Sequence, residues 1–473
     1  MTAATARLTS GRGVGLFLGV AGLVLVAMVC GIGVAMGELE AAVTCLALLA
    51  CCAVLADFRV GAVLVMLMLP VERSVYFPHS VFGVIGLNPL NLVLAATLAS
   101  FLLRGQNLGR FLPKPVLLLV VVPMLVAGIL GMRHVDEIHP GFYEAMLINF
   151  SDAFGYYRDV VVKPLFIVLG ALLVGAAVTR SQKPERFLAP VILSVWMMSL
   201  MSIIYVAVAG MSLGALASSG SREFFSALGL HANDLGRLYA VAYALLLFTW
   251  GETKDLRLKT VLVITMGVLT IALMLTFSRG AFIGFMLVNA LYLLWKLNAK
   301  TVAIALLVSA LALWLMPGAV VGRMMVGTEE GGDMSAGRVD EIWTPLLPEI
   351  LRSPPWGNGL DATMWSHAVW TDQMLLVTHP HNAYLQAILD MGLVGLGLLL
   401  AYYWHVYRRF RDLGGNAYLS PTLRGFYQGA VAGLICFLVT GFAGSTLRPT
   451  SEFAFLWIAI GMMYGQLARR PTQ

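Results

Sequence analysis

The sequence predicts an all-α protein, a polytopic bundle of about 12 to 14 transmembrane helices with a long outer loop that contains short helices. Of the 473 residues, 59% are hydrophobic and only 12% are charged, whereas a soluble domain carries roughly a quarter of charged residues. The mean hydropathy is +0.84. The apolar residues also fall in runs of roughly 20, the length that crosses a bilayer. These observations together predict an integral membrane protein.

Apolar runs near this length lie along the whole chain, which predicts a single membrane domain over residues 1–473. The first run follows a short basic N-terminus, exceeds the core of a signal peptide and lacks a small-residue cleavage site, so we expect a retained span. The third run is the shortest, and with a neighbour it would suit a re-entrant pair. The predicted spans are 14–36, 41–56, 58–71, 88–103, 116–132, 160–178, 187–210, 235–250, 260–277, 280–297, 300–316, 382–404, 425–444 and 452–468.

The charges between these spans predict the orientation of the chain. When the sides alternate from an inner N-terminus, the inner segments hold 20 of the 31 basic residues but only five of the 25 acidic residues. Membrane proteins carry an excess of Lys and Arg in their cytoplasmic segments. We therefore predict that both termini are cytoplasmic. The net charge of +6 follows from this asymmetry and does not predict nucleic-acid binding.

The longest outer segment covers residues 317–381. Within it, the apolar residues of Asp340–Arg352 (DEIWTPLLPEILR) recur at near-helical spacing, which predicts an amphipathic helix on the membrane surface. Pro345 and Pro348 would break a regular helix, so two short turns fit the same pattern. A second, shorter outer loop is predicted over 210–234.

Two histidines stand where the long outer loop meets the apolar run that begins at Ala383. An imidazole titrates near neutral pH and can accept or release a proton at a membrane surface. His381 could therefore be a catalytic base, or it could contact lipid headgroups while Asn382 caps the next helix. His379 and His381 would also suit a metal pair, but no acidic or cysteine third ligand stands at a recognisable spacing. The sequence predicts no metal and no cofactor.

Basic residues are few on the predicted outer face, and two of them lie next to spans. Arg222 precedes a span, and Arg279 lies between two spans that almost no loop separates. A charge so close to hydrocarbon is costly unless it is paired or faces a water-filled cavity, and a guanidinium matches phosphate oxygens in shape and charge. A diphosphate clamp is one interpretation. In the other, Arg279 snorkels at a helix end or pairs with Asp234. Secondary candidates on this face are Arg237, Arg338 and Arg448.

Four short motifs follow one another between about residues 218 and 395. His381 and Asn382 are followed by nine residues and then by Gly392 and Gly395. An SRGA step occupies 278–281 between adjacent spans. The other two motifs are an arginine, a glycine-containing turn and an asparagine, and an arginine, a tryptophan and a PxxGxG segment. Their residues are Arg222, Gly229 and Asn233, and Arg338, Trp343, Pro354 and Gly359.

In this order the motifs resemble those of the O-antigen ligase and polymerase superfamily of bacterial envelope glycosyltransferases. The resemblance implies a membrane glycosyltransferase of the C-type fold in the bacterial inner membrane. It implies transfer of a glycan from undecaprenyl diphosphate to an acceptor hydroxyl on the periplasmic side. By the same resemblance, Arg222 and Arg279 bind the diphosphate and His381 is the catalytic base of an inverting, metal-independent reaction, with His379 and Asn382 as secondary candidates.

The motifs leave the acceptor open. A ligase places the glycan on the lipid A core, which we favour slightly, and an O-antigen or exopolysaccharide polymerase places it on another lipid-linked repeat. The expected partners are thus the undecaprenyl-diphosphate-linked donor, one of these acceptors and membrane lipids. A transporter of lipid-linked sugars is a further alternative. Transporters often contain internal repeats and ionisable residues at mid-membrane, neither of which the sequence displays.

Overall fold

The computed structural model describes residues 39–81, 84–86, 88–104, 111–217, 219–296 and 337–469, together with Gly318 and Gly322. Within these ranges the fold is helical, apart from a hairpin of two two-residue strands, β1 (Ser80–Val81) and β2 (Val84–Ile85). The principal helices are α1 (Leu39–Ala56), α2 (Phe58–Met68), α3 (Pro89–Leu103), α4 (Lys114–Glu137), α5 (Ala153–Arg180), α6 (Pro184–Val208), α7 (Ala232–Glu252), α8 (Leu256–Leu275), α9 (Arg279–Trp295), α10 (Thr344–Arg352), α11 (Ala383–Gly414), α12 (Pro421–Ala443) and α13 (Ala454–Ala468).

Six of the described helices are long and apolar enough to cross a membrane: α4, α5, α6, α8, α11 and α12. A helix lies at each predicted span that falls within the described ranges, whereas the predicted spans at 14–36 and 300–316 lie outside them. The predicted all-α, polytopic membrane architecture is therefore confirmed. The count of 12 to 14 spans, the alternation of sides and the single-domain boundaries stay predictions.

Helix α7 forms the centre of the bundle. Every residue from Leu235 to Thr249 is buried, so this helix contacts protein rather than lipid on all sides. Glycines of α12 allow the closest approach: a Cβ at Gly425 or Gly429 would lie 2.5 Å from a carbonyl oxygen of α7. Small residues commonly mediate such close helix contacts in membranes. A second close pair joins α5 to α13, where a Cβ at Gly461 would lie 2.0 Å from the Ala171 oxygen.

Three π-helical turns stand immediately before prolines. They cover Leu117–Val121, Arg158–Val162 and Val339–Trp343, and Pro123, Pro164 and Pro345 follow each by two residues. A proline lacks the amide hydrogen and its ring clashes with the carbonyl four residues earlier. That carbonyl lies within the wider π turn in each case, which makes room for the ring.

A π turn before a proline also allows the segment 340–352 to be helical. The π turn Val339–Trp343 runs directly into α10, so the predicted helix is present and the alternative of two short turns is wrong, while its position on the membrane surface stays a prediction. Three apolar side chains on one face of this continuous segment are buried, whereas Leu347 and Leu351 on another face are 46% and 75% exposed. The buried residues are Ile342, Leu346 and Ile350.

Helix α11 is broken at Gly392, which the predicted uninterrupted span at 382–404 did not anticipate. Gly392 has φ 66° and ψ −175°. The segment 354–360 of the outer loop docks into the break: the Asn358 and Gly359 amides donate to the Leu389 and Asp390 carbonyls at 2.9 and 3.0 Å. The Val394 amide in turn donates to the Pro355 carbonyl at 3.0 Å. The loop therefore replaces hydrogen bonds that a regular helix would make with itself.

This docking explains two of the sequence motifs. A Cβ at Gly392 would lie 2.1 Å from the Pro355 oxygen, and a Cβ at Gly357 would lie 2.3 Å from the Asp390 oxygen. Gly357 also has φ 82°, in the left-handed region that favours glycine. The glycines of the PxxGxG segment and of the motif after His381 thus meet at one joint. The joint anchors the outer loop to the half-helix that begins next to His381.

Candidate active site

The turn that carries His379 and His381 connects the outer loop to α11. Asn382 is the N-cap of α11, and its side-chain oxygen accepts hydrogen bonds from the Tyr384 and Leu385 amides at 3.0 and 3.2 Å. The Trp343 indole donates to the Pro380 carbonyl at 2.7 Å. His381 itself has φ 52°, a left-handed conformation that is uncommon for a residue with a side chain and recurs at functional sites. The position of His381 is therefore held from both sides.

The two imidazole rings are in contact, with their centroids 4.4 Å apart and an edge-to-face arrangement. Burial lowers the pKa of His379 to about 4, with Asp234 opposing and Arg237 adding to the shift. Burial likewise lowers the pKa of His381 to about 2, and His379 and Arg338 lower it further. Both rings are therefore neutral at physiological pH.

Arginines surround this histidine pair. Burial lowers the pKa of Arg338, and the nearby charges of Arg279 and Arg237 lower it further, so the Arg338 guanidinium lies close enough to each of the other two to be repelled by it. Arg279 begins α9, which Ser278 caps by accepting a hydrogen bond from the Ala281 amide at 3.3 Å. Among the described residues, Arg338 has no carboxylate within 4.0 Å. Arg338 therefore contributes positive charge beside the other two guanidinium groups and the histidine pair.

Arg237 is the most deeply buried arginine of the cluster, with 3% of its surface exposed. One terminal nitrogen, Nη2, contacts Asp234, the Glu452 carboxylate at 3.3 Å and the Ser445 hydroxyl at 3.4 Å. The other two nitrogens, Nε and Nη1, have no hydrogen-bond partner within the described ranges. This acid-paired arginine links α7 to the turn after α12.

The structure brings together five of the seven predicted site residues: His379, His381 and Asn382 on one turn, and Arg279 and Arg338 beside it. Arg448 has a different environment. It pairs with Asp361, and its guanidinium lies 4.0 Å from the Asp390 carboxylate, so it secures the docked loop. The backbone of Arg222 lies in the 3-10 helix Ser219–Leu228, and its side chain falls outside the described part of the chain.

The stretch that contains this centre has known relatives. Residues 261–400 match a family model described as O-antigen ligase. This stretch of the chain is therefore similar to O-antigen ligases. The matched stretch extends from α8 through the outer loop into α11 and thus includes Arg279, Arg338 and His381. The resemblance to the O-antigen ligase and polymerase superfamily is confirmed. A comparison with curated proteins finds no match.

Two functional candidates lie outside the stretch that matches the family model. Arg222 precedes it on the 3-10 helix, and Arg237 precedes it on α7. From the sequence, Arg237 is only a secondary candidate among the basic residues of the predicted outer face. The signal that could have identified it is the pair of Asp234 and Arg237 three residues apart, since such a pair falls on one face of a helix. Charged residues within an otherwise apolar helix also mark functional sites.

The described residues of the protein contain no group of three or more His, Cys, Asp or Glu side chains that could hold a metal ion. The HPH pair therefore lacks further ligands of these types in the described ranges. The absence of a metal from the reaction stays a prediction. The arrangement that is present, a neutral imidazole beside clustered guanidinium groups, can bind an anion and accept a proton.

Proposed function

We propose that the protein transfers a glycan from undecaprenyl diphosphate to an acceptor hydroxyl at the periplasmic face of the bacterial inner membrane. The acceptor is the lipid A core, so the protein is an O-antigen ligase. The observation that carries this proposal is Arg338, which is partly buried beside Arg279 and Arg237 and has no carboxylate within 4.0 Å in the described ranges. Such a cluster suits the diphosphate of a lipid-linked donor.

The proposed reaction is a single displacement with inversion. The acceptor hydroxyl attacks the anomeric carbon, and His381 takes the hydroxyl proton as the new glycosidic bond forms. The bond between the anomeric carbon and the diphosphate oxygen breaks, and its electron pair leaves with the diphosphate. Arg279, Arg338 and the predicted clamp residue Arg222 stabilise the negative charge that develops on the leaving group. No divalent cation is required in this scheme.

Binding of the donor would raise the pKa of His381 toward the pH at which the enzyme works. In the free protein, burial and neighbouring positive charge hold the pKa of His381 at about 2, and such an imidazole is a weak base. A bound diphosphate adds negative charge beside the same arginines, which favours the protonated imidazole and raises its pKa. The proton acceptor would thus become effective only after the donor is bound.

This coupling predicts two different pH profiles. The kcat/KM profile reports the free enzyme and the kcat profile reports the complex. We expect kcat/KM to stay level down to about pH 5. The acid limb of kcat should lie at least about one pH unit above that of kcat/KM, because a pKa shift of one unit requires only about 1.4 kcal/mol of interaction between the imidazolium and the bound diphosphate. Steady-state kinetics between pH 4 and 8 would locate the acid limb of kcat and show whether kcat/KM stays level over the same range. An acid limb of kcat/KM at or above that of kcat would contradict the coupling.

A second expected result concerns Arg338. Replacement by glutamine removes a charge-assisted contact worth about 1.5 to 3 kcal/mol, which corresponds to a ten- to hundredfold weaker binding of the donor. Arg338→Lys keeps the charge and should retain part of the affinity. Binding of undecaprenyl diphosphate to the purified protein measures the effect. Arg133→Gln, at an exposed position of the same predicted face, is the matched control. Equal binding by Arg338→Gln and Arg133→Gln would remove Arg338 from the diphosphate site.

The overall proposal is tested by incubating the purified protein with lipid-linked repeats, with and without lipid A core. A glycan joined to lipid A core identifies the ligase. Lengthening of the lipid-linked glycan in the absence of the core identifies a polymerase instead. Movement of the lipid-linked sugar across proteoliposomes without any new glycosidic bond would identify a transporter and overturn the proposal.

A further inference from the structure

A polar groove separate from the histidine turn lies where α4, the outer loop and α11 meet. We call it the outer groove and define it by His134, Glu137, Glu349, Arg352, Asn358 and Trp365. Its volume is about 270 Å³, and Leu389 of the half-helix before the break forms part of its floor. Nothing in the proposed displacement uses these side chains.

The walls of the outer groove are built by specific contacts. The His134 ring stacks on Trp365 with 5.4 Å between centroids and 14° between planes, and His134 Nδ1 lies 2.7 Å from the Glu137 carboxylate. The Glu349 carboxylate accepts a hydrogen bond from the Ala368 amide at 2.8 Å. The Asn358 amide donates to the Ser353 hydroxyl at 3.3 Å. The groove is therefore preformed rather than an incidental gap between mobile side chains.

Several polar groups in the groove retain capacity for a ligand. Arg352 is exposed and has no carboxylate within 4.0 Å among the described residues. The buried Trp365 Nε1 has no hydrogen-bond partner in the described ranges. Glu137 is 61% exposed at its side chain and offers a second carboxylate oxygen. Carboxylates accept from hydroxyls, whereas guanidinium and indole groups donate to them.

This mixture selects a class of ligand. Two carboxylates against one guanidinium leave the lining acidic at neutral pH, so a phosphate or a uronate would be repelled. An acyl chain would leave the charged groups desolvated without partners. A neutral sugar ring, with hydroxyls that both donate and accept, satisfies all of these groups. The outer groove thus differs in sign from the cationic cluster around His381.

The groove is also connected to the proposed reacting centre. The half-helix that contains Leu389 begins at Ala383, two residues after His381, and Leu389 lies about 9 Å along its axis from that start. The π turn and α10 lead from Arg338 in the cationic cluster to Arg352 in the groove, over about 21 Å of helix. A glycan that reacts beside His381 would therefore reach the groove a few sugar units away from the bond being made.

We propose that the outer groove is a glycan subsite that binds a neutral sugar unit of the donor or of the acceptor. The proposal rests on the proposed transferase function. The subsite would hold a part of the glycan remote from the anomeric carbon, so that binding energy from this sugar orients the reacting end. The diphosphate would be bound at one end of α10 and a sugar at the other.

The test removes the charges of the groove without changing side-chain size greatly. The variant Glu137→Gln/Arg352→Gln is compared with Asp136→Asn/Arg133→Gln, which makes the same charge changes at exposed positions outside the groove. Kinetics are measured with undecaprenyl diphosphate carrying one sugar and carrying the full repeat, and with truncated and complete acceptor glycans. Loss of two hydrogen-bonding charges should raise the KM ratio of full to truncated substrate about tenfold.

Comparison of the donor series with the acceptor series identifies which glycan the groove binds. A raised ratio confined to the donor series assigns the subsite to the donor, and one confined to the acceptor series assigns it to the acceptor; either supports the proposal. Ratios equal to those of the control variant in both series would overturn it, and so would loss of activity that is uniform across all substrates.

A binding measurement separates this proposal from the transferase function. Free oligosaccharide, released by mild acid from the lipid-linked repeat, is titrated into the His381→Asn protein with and without the groove substitutions. Binding that the groove substitutions abolish supports the subsite even if no transfer is detected with wild-type protein. Absence of binding to the His381→Asn protein would overturn the subsite while leaving the transfer assay to decide the function.

Discussion

Replacing His381 with asparagine is expected to reduce the transfer rate by about 10² to 10⁴-fold, the contribution of a positioned general base. Asparagine tolerates the left-handed backbone that His381 adopts at φ 52°, so the turn and the N-cap of α11 should be preserved. Alanine removes the same base but strains the turn. We therefore expect both variants to lose transfer, with the alanine variant additionally less stable.

The measurement is single-turnover formation of the glycosidic bond, together with donor binding to the same preparations. Expression and binding of undecaprenyl diphosphate should stay close to wild type in His381→Asn, because the arginines that bind the anion are unchanged. His367→Asn provides the matched control, since His367 is exposed on a short helix of the outer loop. If His381→Asn kept most of its activity, the proton-transfer role would be wrong.

Replacing Gly392 with alanine is expected to disrupt the joint between the outer loop and α11, with a destabilisation of at least about 3 kcal/mol. The added Cβ would lie 2.1 Å from the Pro355 oxygen and 2.6 Å from the Gly357 nitrogen. The backbone at φ 66° and ψ −175° is accessible almost only to glycine. Neither the loop nor the helix can yield without breaking the hydrogen bonds between them.

The control for this variant lies on the same helix. A Cβ at Gly397 would have no neighbour within 4 Å, so Gly397→Ala should be neutral or slightly stabilising. Thermal unfolding in detergent and the yield of monodisperse protein measure the difference. Any folded Gly392→Ala protein should also lose transfer, because the joint orients the half-helix that follows His381. Equal stability of the two variants would mean that the break is not required for the fold.

The residues with local signatures were predictable. Asn382 could be expected as an N-cap because capping depends only on the residue type and the helix that follows, and His381 follows from its place before it. Apolar runs likewise identified the helices. In hydrocarbon every backbone amide and carbonyl needs a hydrogen bond, and a helix forms these bonds within one segment of the chain. The continuity of the helix through the prolines of α10 was harder to predict, because the π turn that accommodates Pro345 has no simple sequence signature.

The surroundings of the outer arginines could not be predicted from the sequence. Arg338 and Arg448 looked alike as outer basic residues, yet Arg338 joins the cationic cluster and Arg448 pairs with Asp361 beside the buried Asp390. Their surroundings come from segments far apart in the chain. Spacing along the sequence does not predict which charges from distant segments meet after packing.

The sequence by itself determined that this is a helical membrane protein with a capped histidine turn, because hydropathy and capping act within a few residues. Only the tertiary structure decided which guanidinium groups surround His381, why Gly392 interrupts α11 and where the outer groove forms. These depend on the docking of the outer loop against distant helices, through hydrogen bonds and ion pairs such as that of Arg448 with Asp361. Long-range contacts of this kind are set by the packing of the whole bundle.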